Sequence, residues 1–244
     1  MQGSPMRDRI IVALDQPDAA GAIACARVLR GHARWLKVGM TLFYAEGPSV
    51  VAAMRDLGFE VFVDLKLHDI PHQVEGAARA LGRLGAGMIT IHASGGGPMV
   101  EAAVRGASEG AAAAGVRAPA VLAVTVLTSI APEALRSVGV TGPLADQVGR
   151  LTAVARDSGA DGVVCSPQEA SAVRALLGDD GLVVTPGVRP SGSDAGDQAR
   201  IATPRQAFAA GASHVVIGRP ITSAADPAAA FEAIAGPDEG ANDR

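Results

Sequence analysis

The stretch Asp64-Leu65-Lys66-Leu67-His68-Asp69-Ile70-Pro71 places two carboxylates and an ammonium in a run with the apolar density of a buried strand. An ammonium held among carboxylates can stabilise negative charge as it develops on a neighbouring atom and then donate a proton to it. Residues 59–65 read as a strand. Side chains alternate across a strand, so Asp64 and Lys66 are expected on one face, with Val63 and Leu65 on the other. The bland alternative is an ordinary ion pair on a solvated strand. Val61-Phe62-Val63, Leu65 and Leu67 weigh against it, because charged groups in such surroundings are rare unless paired or functional. Asp69 falls just past the strand, and Pro71 suits the first turn of a following helix, where its missing N–H is no loss. The charges therefore gather at the C-terminal end of a strand.

Positioning that end requires a scaffold, and the chain has one written as a repeat. Short β-branched runs alternate with long Ala-rich stretches, the pattern of βα units around a parallel sheet. Eight such runs are read, at residues 10–14, 35–38, 61–66, 88–91, 121–126, 162–165, 182–185 and 214–217. Eight βα repeats in 244 residues predict a single-domain α/β fold, the TIM (β/α)8 barrel, over residues 1–236, with a frayed tail at 237–244. In such a barrel the chemistry lies at the C-terminal ends of the strands.

Several polar residues occupy those ends. Asp15 follows the first run, Lys37 closes the second, Asp64 and Lys66 close the third, and Thr128 and Ser129 follow the fifth. Pro186 to Arg189 follow the seventh, and Gly218-Arg219 follow the eighth. Singly, each has a dull explanation as a cap, a turn residue or a snorkelling cation. Independent surface residues, however, have no reason to favour one rim. Loops after the last two strands of such barrels often bind phosphate, and here both carry an arginine, so Arg189 and Arg219 are candidate phosphate ligands. Gly218 leaves its N–H open to an anion, and Gln198 lies in a polar, glycine-rich stretch suited to a lid. Ser94-Gly95-Gly96-Gly97-Pro98 is a rival cradle, but it has no nearby cation and reads as a tight turn.

Composition narrows the classes further. A net charge of −4 gives no basic footprint, which argues against nucleic acid or an anionic membrane as partner. No run approaches transmembrane length, and the first nine residues look like neither a signal nor an anchor. Cys25 and Cys165 lie far apart in apolar surroundings and read as buried thiols in a reducing cytoplasm. His68 and His72 stand four apart, but Pro71 intervenes and a third ligand is missing, so no metal is expected.

Taken together, Val12-Ala13-Leu14-Asp15, Lys37-Val38-Gly39, the 64–71 stretch, Leu127-Thr128-Ser129, Thr185-Pro186-Gly187-Val188-Arg189-Pro190, Gly196-Asp197-Gln198 and Val216-Ile217-Gly218-Arg219-Pro220 resemble the bacterial orotidine 5'-monophosphate decarboxylases over nearly the whole chain. That resemblance implies a TIM barrel converting orotidine 5'-monophosphate to UMP and carbon dioxide, the last step of UMP biosynthesis, without a cofactor. It implies that Lys37, Asp64, Lys66 and Asp69 form an alternating charge array, Lys66 being the acid that protonates C6. Asp69 is expected to enter the neighbouring subunit's site, which makes the protein a homodimer. Asp15 and Lys37 match ribose-binding groups, Thr128 and Ser129 the base-contacting loop, and Ile70 and Pro71 a wall of the base. Pro186 lies in the matching loop after the seventh strand, and Arg189, Gln198, Gly218 and Arg219 match the phosphate set. The chain departs from the pattern at His72-Gln73, where many members have Asn-Thr, although Gln73 keeps a hydrogen-bond donor. The Asp-x-Lys-x-x-Asp core is shared with sugar-phosphate decarboxylases and aldolases, which stay as an alternative, as does a non-catalytic UMP-binding barrel.

Overall fold

A computed structural model describes residues 5–189 and 202–236. The eight strands are β1 (Ile10–Leu14), β2 (Trp35–Gly39), β3 (Glu60–Leu67), β4 (Met88–His92), β5 (Ala120–Val124), β6 (Gly162–Val164), β7 (Leu182–Thr185) and β8 (His214–Ile217). All pair in parallel in chain order, and β8 returns to β1, closing the barrel. The TIM barrel expected from the repeat is the fold observed. The helices between strands include α1 (Ala19–Leu29), α2 (Met40–Glu46), α3 (Ser49–Asp56), α4 (Pro71–Arg83) and α5 (Gly97–Ala114). Pro71 does open α4, and Gly96, with φ +82°, makes the turn that leads into α5.

Alternation along the strands builds two apolar layers. Ile10, Val12, Leu36, Val38, Val61, Val63, Ile89 and Ile91 pack outward under the helices. Ile11, Trp35, Phe62, Met88, Leu122, Val124, Val164 and Val184 form a separate cluster that fills the barrel. One step further along the inward face come Lys37 above Trp35, Asp64 above Phe62 and Thr90 above Met88, so the plug of side chains forms the floor of the site.

The regular alternation expected through 59–65 and on to Lys66 is interrupted. Val63 pairs with Ile89, but the next partner of β4 on this side is Leu67 with Ile91, so Asp64, Leu65 and Lys66 face Thr90 alone. Lys66 takes φ +51°, and no other non-glycine among the described residues has a positive φ. Such a backbone costs about 1–3 kcal/mol and collects at functional sites. Asp64 and Lys66 do converge, but through a bulge and not through simple pleating.

Helices α4 and α5 lie in backbone contact. A Cβ on Gly106 would stand 2.3 Å from the Glu75 carbonyl oxygen, and one on Gly110 would stand 2.0 Å from that of Arg79. Arg79 pairs with Glu109 and Arg105 with Glu75 across the same seam. This seam anchors the helix that directly follows the 64–70 turn.

Candidate active site

The inward residues at the C-terminal rim make one connected cluster. Lys66 Nζ donates to Asp64 Oδ1 at 2.8 Å, and Lys37 Nζ lies 3.7 Å from Asp64 Oδ2 and 3.3 Å from Asp15 Oδ1. Lys37 and Asp64 are mostly buried, with side chains 11% and 13% exposed, whereas that of Asp15 is 62% exposed. Gly39 makes room for the ammonium, since a Cβ there would stand 2.9 Å from Lys37 Nζ. Burial pushes the Asp64 carboxyl up, but the nearby Lys37 and Lys66 ammoniums, with hydrogen bonds from Lys66 and Thr90, outweigh it and hold the group below the ordinary carboxylate range. A carboxylate kept ionised between two ammoniums gives a fixed, alternating field.

Thr90 is the residue that the sequence did not single out. Its fully buried hydroxyl donates to Asp64 Oδ1 at 2.9 Å and accepts the Lys66 N–H at 2.9 Å. A threonine among Met88, Ile89 and Ile91 reads as an ordinary β-former, so only the register exposes its role. His92 also belongs to the rim. Burial, then the neighbouring His68 and Lys66, lower its pKa, and its ring centroid lies 5.3 Å from that of His68. His68 thus lies beside His92 with the two rings tilted by 37°, and the described residues hold no cluster of three or more His, Cys, Asp or Glu that could bind a metal.

Other predicted residues occupy the same end of the barrel. Asp69 is exposed, and its Oδ1 accepts from the N–H of Ile70 at 2.6 Å. Ile70, Pro71 and Gln73 are exposed beside it. Thr128 is buried and Ser129 exposed in the loop after β5. Pro186 and Arg189 follow β7, where Arg189 N–H donates to the Ala202 carbonyl at 2.9 Å. Gly218 and Arg219 follow β8, the strand paired to β7, and a Cβ on Gly218 would stand 3.3 Å from Asp15 Oδ2. Gln198 lies outside the described residues, as does the expected tail at 237–244.

Fold and rim together define a TIM-barrel enzyme whose polar groups form a lysine–aspartate array, with arginine-bearing loops after the last two strands, β7 and β8. The family model for orotidine 5'-phosphate decarboxylase / HUMPS matches residues 8–234. The orotidine 5'-phosphate decarboxylase of Anaeromyxobacter sp. (strain K) is 54% identical over 228 residues, covering 93% of this chain and 97% of its own. That of Paramagnetospirillum magneticum is 52% identical over 225 residues, 92% of this chain and 96% of its own. The crystal structure of orotidine 5'-phosphate decarboxylase from Lactobacillus acidophilus superposes with a TM-score of 0.84 at 43% identity, covering 93% of this chain and 97% of that one. The chain belongs to the orotidine 5'-phosphate decarboxylase / HUMPS family.

Proposed function

We propose that the protein decarboxylates orotidine 5'-monophosphate to UMP, with Lys66 as the proton donor. The observation that carries this is the Lys37–Asp64–Lys66 cluster, joined at 2.8 and 3.7 Å on the floor of the rim, in a chain whose relatives at about half identity bear that activity's name. The bond from C6 to the carboxylate carbon breaks, its electron pair stays on C6, and carbon dioxide leaves. Lys66 Nζ gives its proton to C6, and solvent restores it. A fixed ammonium stabilises the carbanion as it forms, while the anionic Asp64 disfavours the substrate's carboxylate and not its product. Arg189, Gln198, Gly218 and Arg219 hold the phosphate, whose binding energy is remote from the reacting carbon and offsets crowding there. Asp15 and Lys37 hold the ribose, Thr128, Ser129, Ile70 and Pro71 border the base, and Pro186 shapes the loop that carries Arg189.

The working form is a homodimer in which Asp69 completes the neighbouring site. Its exposure, and that of Ile70 at 63%, Tyr44 at 69% and Met40 at 48% on the same side of the barrel, support this arrangement. Cys25 and Cys165 are not joined in a disulfide, which accords with the cytoplasm.

The deciding experiment is conversion of orotidine 5'-monophosphate to UMP by the purified chain in excess EDTA, with Lys66→Ala alongside. Turnover by the parent that falls at least ~10⁴-fold in the variant is expected. A parent that is inactive, or that needs a divalent cation, overturns the assignment.

A further inference from the structure

We infer that Thr90 is a positioning residue of the reaction, its hydroxyl locking both the carboxylate of Asp64 and the backbone of Lys66 into their working arrangement. The inference rests on the roles proposed above for those two residues. The bulge in β3 takes the Lys66 N–H out of the ladder with β4, and Thr90, the one residue of β4 facing the bulge, accepts that N–H through its side chain. The same oxygen spends its own proton on Asp64 Oδ1, so one group uses its donor and an acceptor site on the two ends of the Asp64-Leu65-Lys66 tripeptide. Asp64 Oδ1 is thereby committed to Thr90 and Lys66, which turns Oδ2 toward Lys37. Thr90 is fully buried, so no water stands in for the hydroxyl once it is removed. Lys66 sits in a left-handed backbone conformation that its side chain disfavours. A strained residue persists only where its surroundings over-determine it, and among the described residues the Thr90 contact is the only side-chain hydrogen bond at the Lys66 N–H.

The charged and titratable groups facing Asp64 are Lys37 on β2, Lys66 on β3 and His92 on β4. None is altered in Thr90→Val, which is nearly isosteric and exchanges the hydroxyl for a methyl. Thr90→Val is expected to lower kcat about 10- to 100-fold with KM for orotidine 5'-monophosphate little changed. Loss of the hydrogen bond also moves the acid limb of kcat/KM to higher pH, since Asp64 then ionises less readily. Thr90→Ser restores both. The Asp64 carboxyl titration, followed by 13C NMR, reads the same contact without turnover and is expected to shift upward in Thr90→Val alone. A Thr90→Val enzyme with parental kcat and pH profile overturns the inference, as does Thr90→Ser falling as far as Thr90→Val, which would show that the hydroxyl by itself does not hold the arrangement. If Thr90→Val does not fold, Thr90→Cys, similar in size with a weak donor, takes its place under the same two results. A parent enzyme without decarboxylase activity overturns the proposed function instead, and the Asp64 titration then decides on Thr90 by itself.

Discussion

Replacing Gly110 by alanine sets two effects of opposite sign against each other. In the interior of α5 the exchange should help, since alanine is favoured over glycine in a helix by about 1 kcal/mol. The new methyl, however, would stand 2.0 Å from the Arg79 carbonyl oxygen and 2.8 Å from its carbon. Even a weak C–H···O contact wants about 3.3 Å, so the two helices must part by about 1.3 Å. The obstacle is backbone and cannot rotate away, which puts the overpacking cost near the upper end of its usual range, about 3 kcal/mol. The net loss is then about 2 kcal/mol, or a fall of about 0.7 M in the urea midpoint for a slope near 3 kcal/mol/M. The matched control is Gly76→Ala in α4, where a Cβ meets nothing within 4 Å and the midpoint should rise by about 0.3 M. Both are measured at one protein concentration, because association would add to stability. A Gly110→Ala midpoint at or above the parental value, with Gly76→Ala behaving as expected, would refute the claim that this seam is closed by backbone contact.

Two further outcomes can be checked directly. His214 is 4% exposed at the lower end of the barrel, edge-on to Trp35. Burial, then the Arg9 and Arg34 guanidiniums, lower its pKa to about 4. The unfolded chain takes up this proton below about pH 6.5 and the folded chain does not, so stability falls by about 3 kcal/mol between pH 6.5 and 4 and this contribution is constant below that. His214→Gln should flatten the slope in that window, and parallel stability curves for the two proteins would show the assignment to be wrong. For the shared site, inactive Lys66→Ala and inactive Asp69→Ala are denatured and refolded together. If Asp69 serves the neighbour, random pairing gives about a quarter of parental activity, whereas an Asp69 acting in its own subunit leaves the mixture inactive.

The barrel was legible because its signal is local: each strand is a β-branched run, and the count and spacing of the runs leave little choice of topology. The ends were less so. The fifth β-branched run continues to Val126, but β5 ends at Val124, where Thr125 still bonds the Val164 carbonyl through both its N–H and its hydroxyl. Within the site, the charged rim residues stood out because buried carboxylates and ammoniums are rare, and Lys37, Asp64, Lys66 and Asp15 do meet. The bulge at Lys66 was not legible. It is fixed by a partner 24 residues away, and a threonine in a strand carries no mark of a hydroxyl with two obligations. The Gly106 and Gly110 contacts were hidden in the same way, since in an Ala- and Gly-rich chain close helix packing is indistinguishable from composition until the helices are placed.

The bulge has a consequence for how this chemistry can be inherited or transplanted. The three letters Asp-x-Lys are not the functional unit, because on an evenly pleated strand they lack the left-handed turn at the lysine that this protein uses. The unit that has to travel is a pair of neighbouring strands in a fixed offset, one carrying the charges and the other the hydroxyl that holds the offset. A search for kindred sites, or a design that grafts this one elsewhere, should therefore match β3 and β4 as a two-strand cassette, with a hydroxyl-bearing residue at the place of Thr90 and the β2 lysine that faces Asp64 beside it.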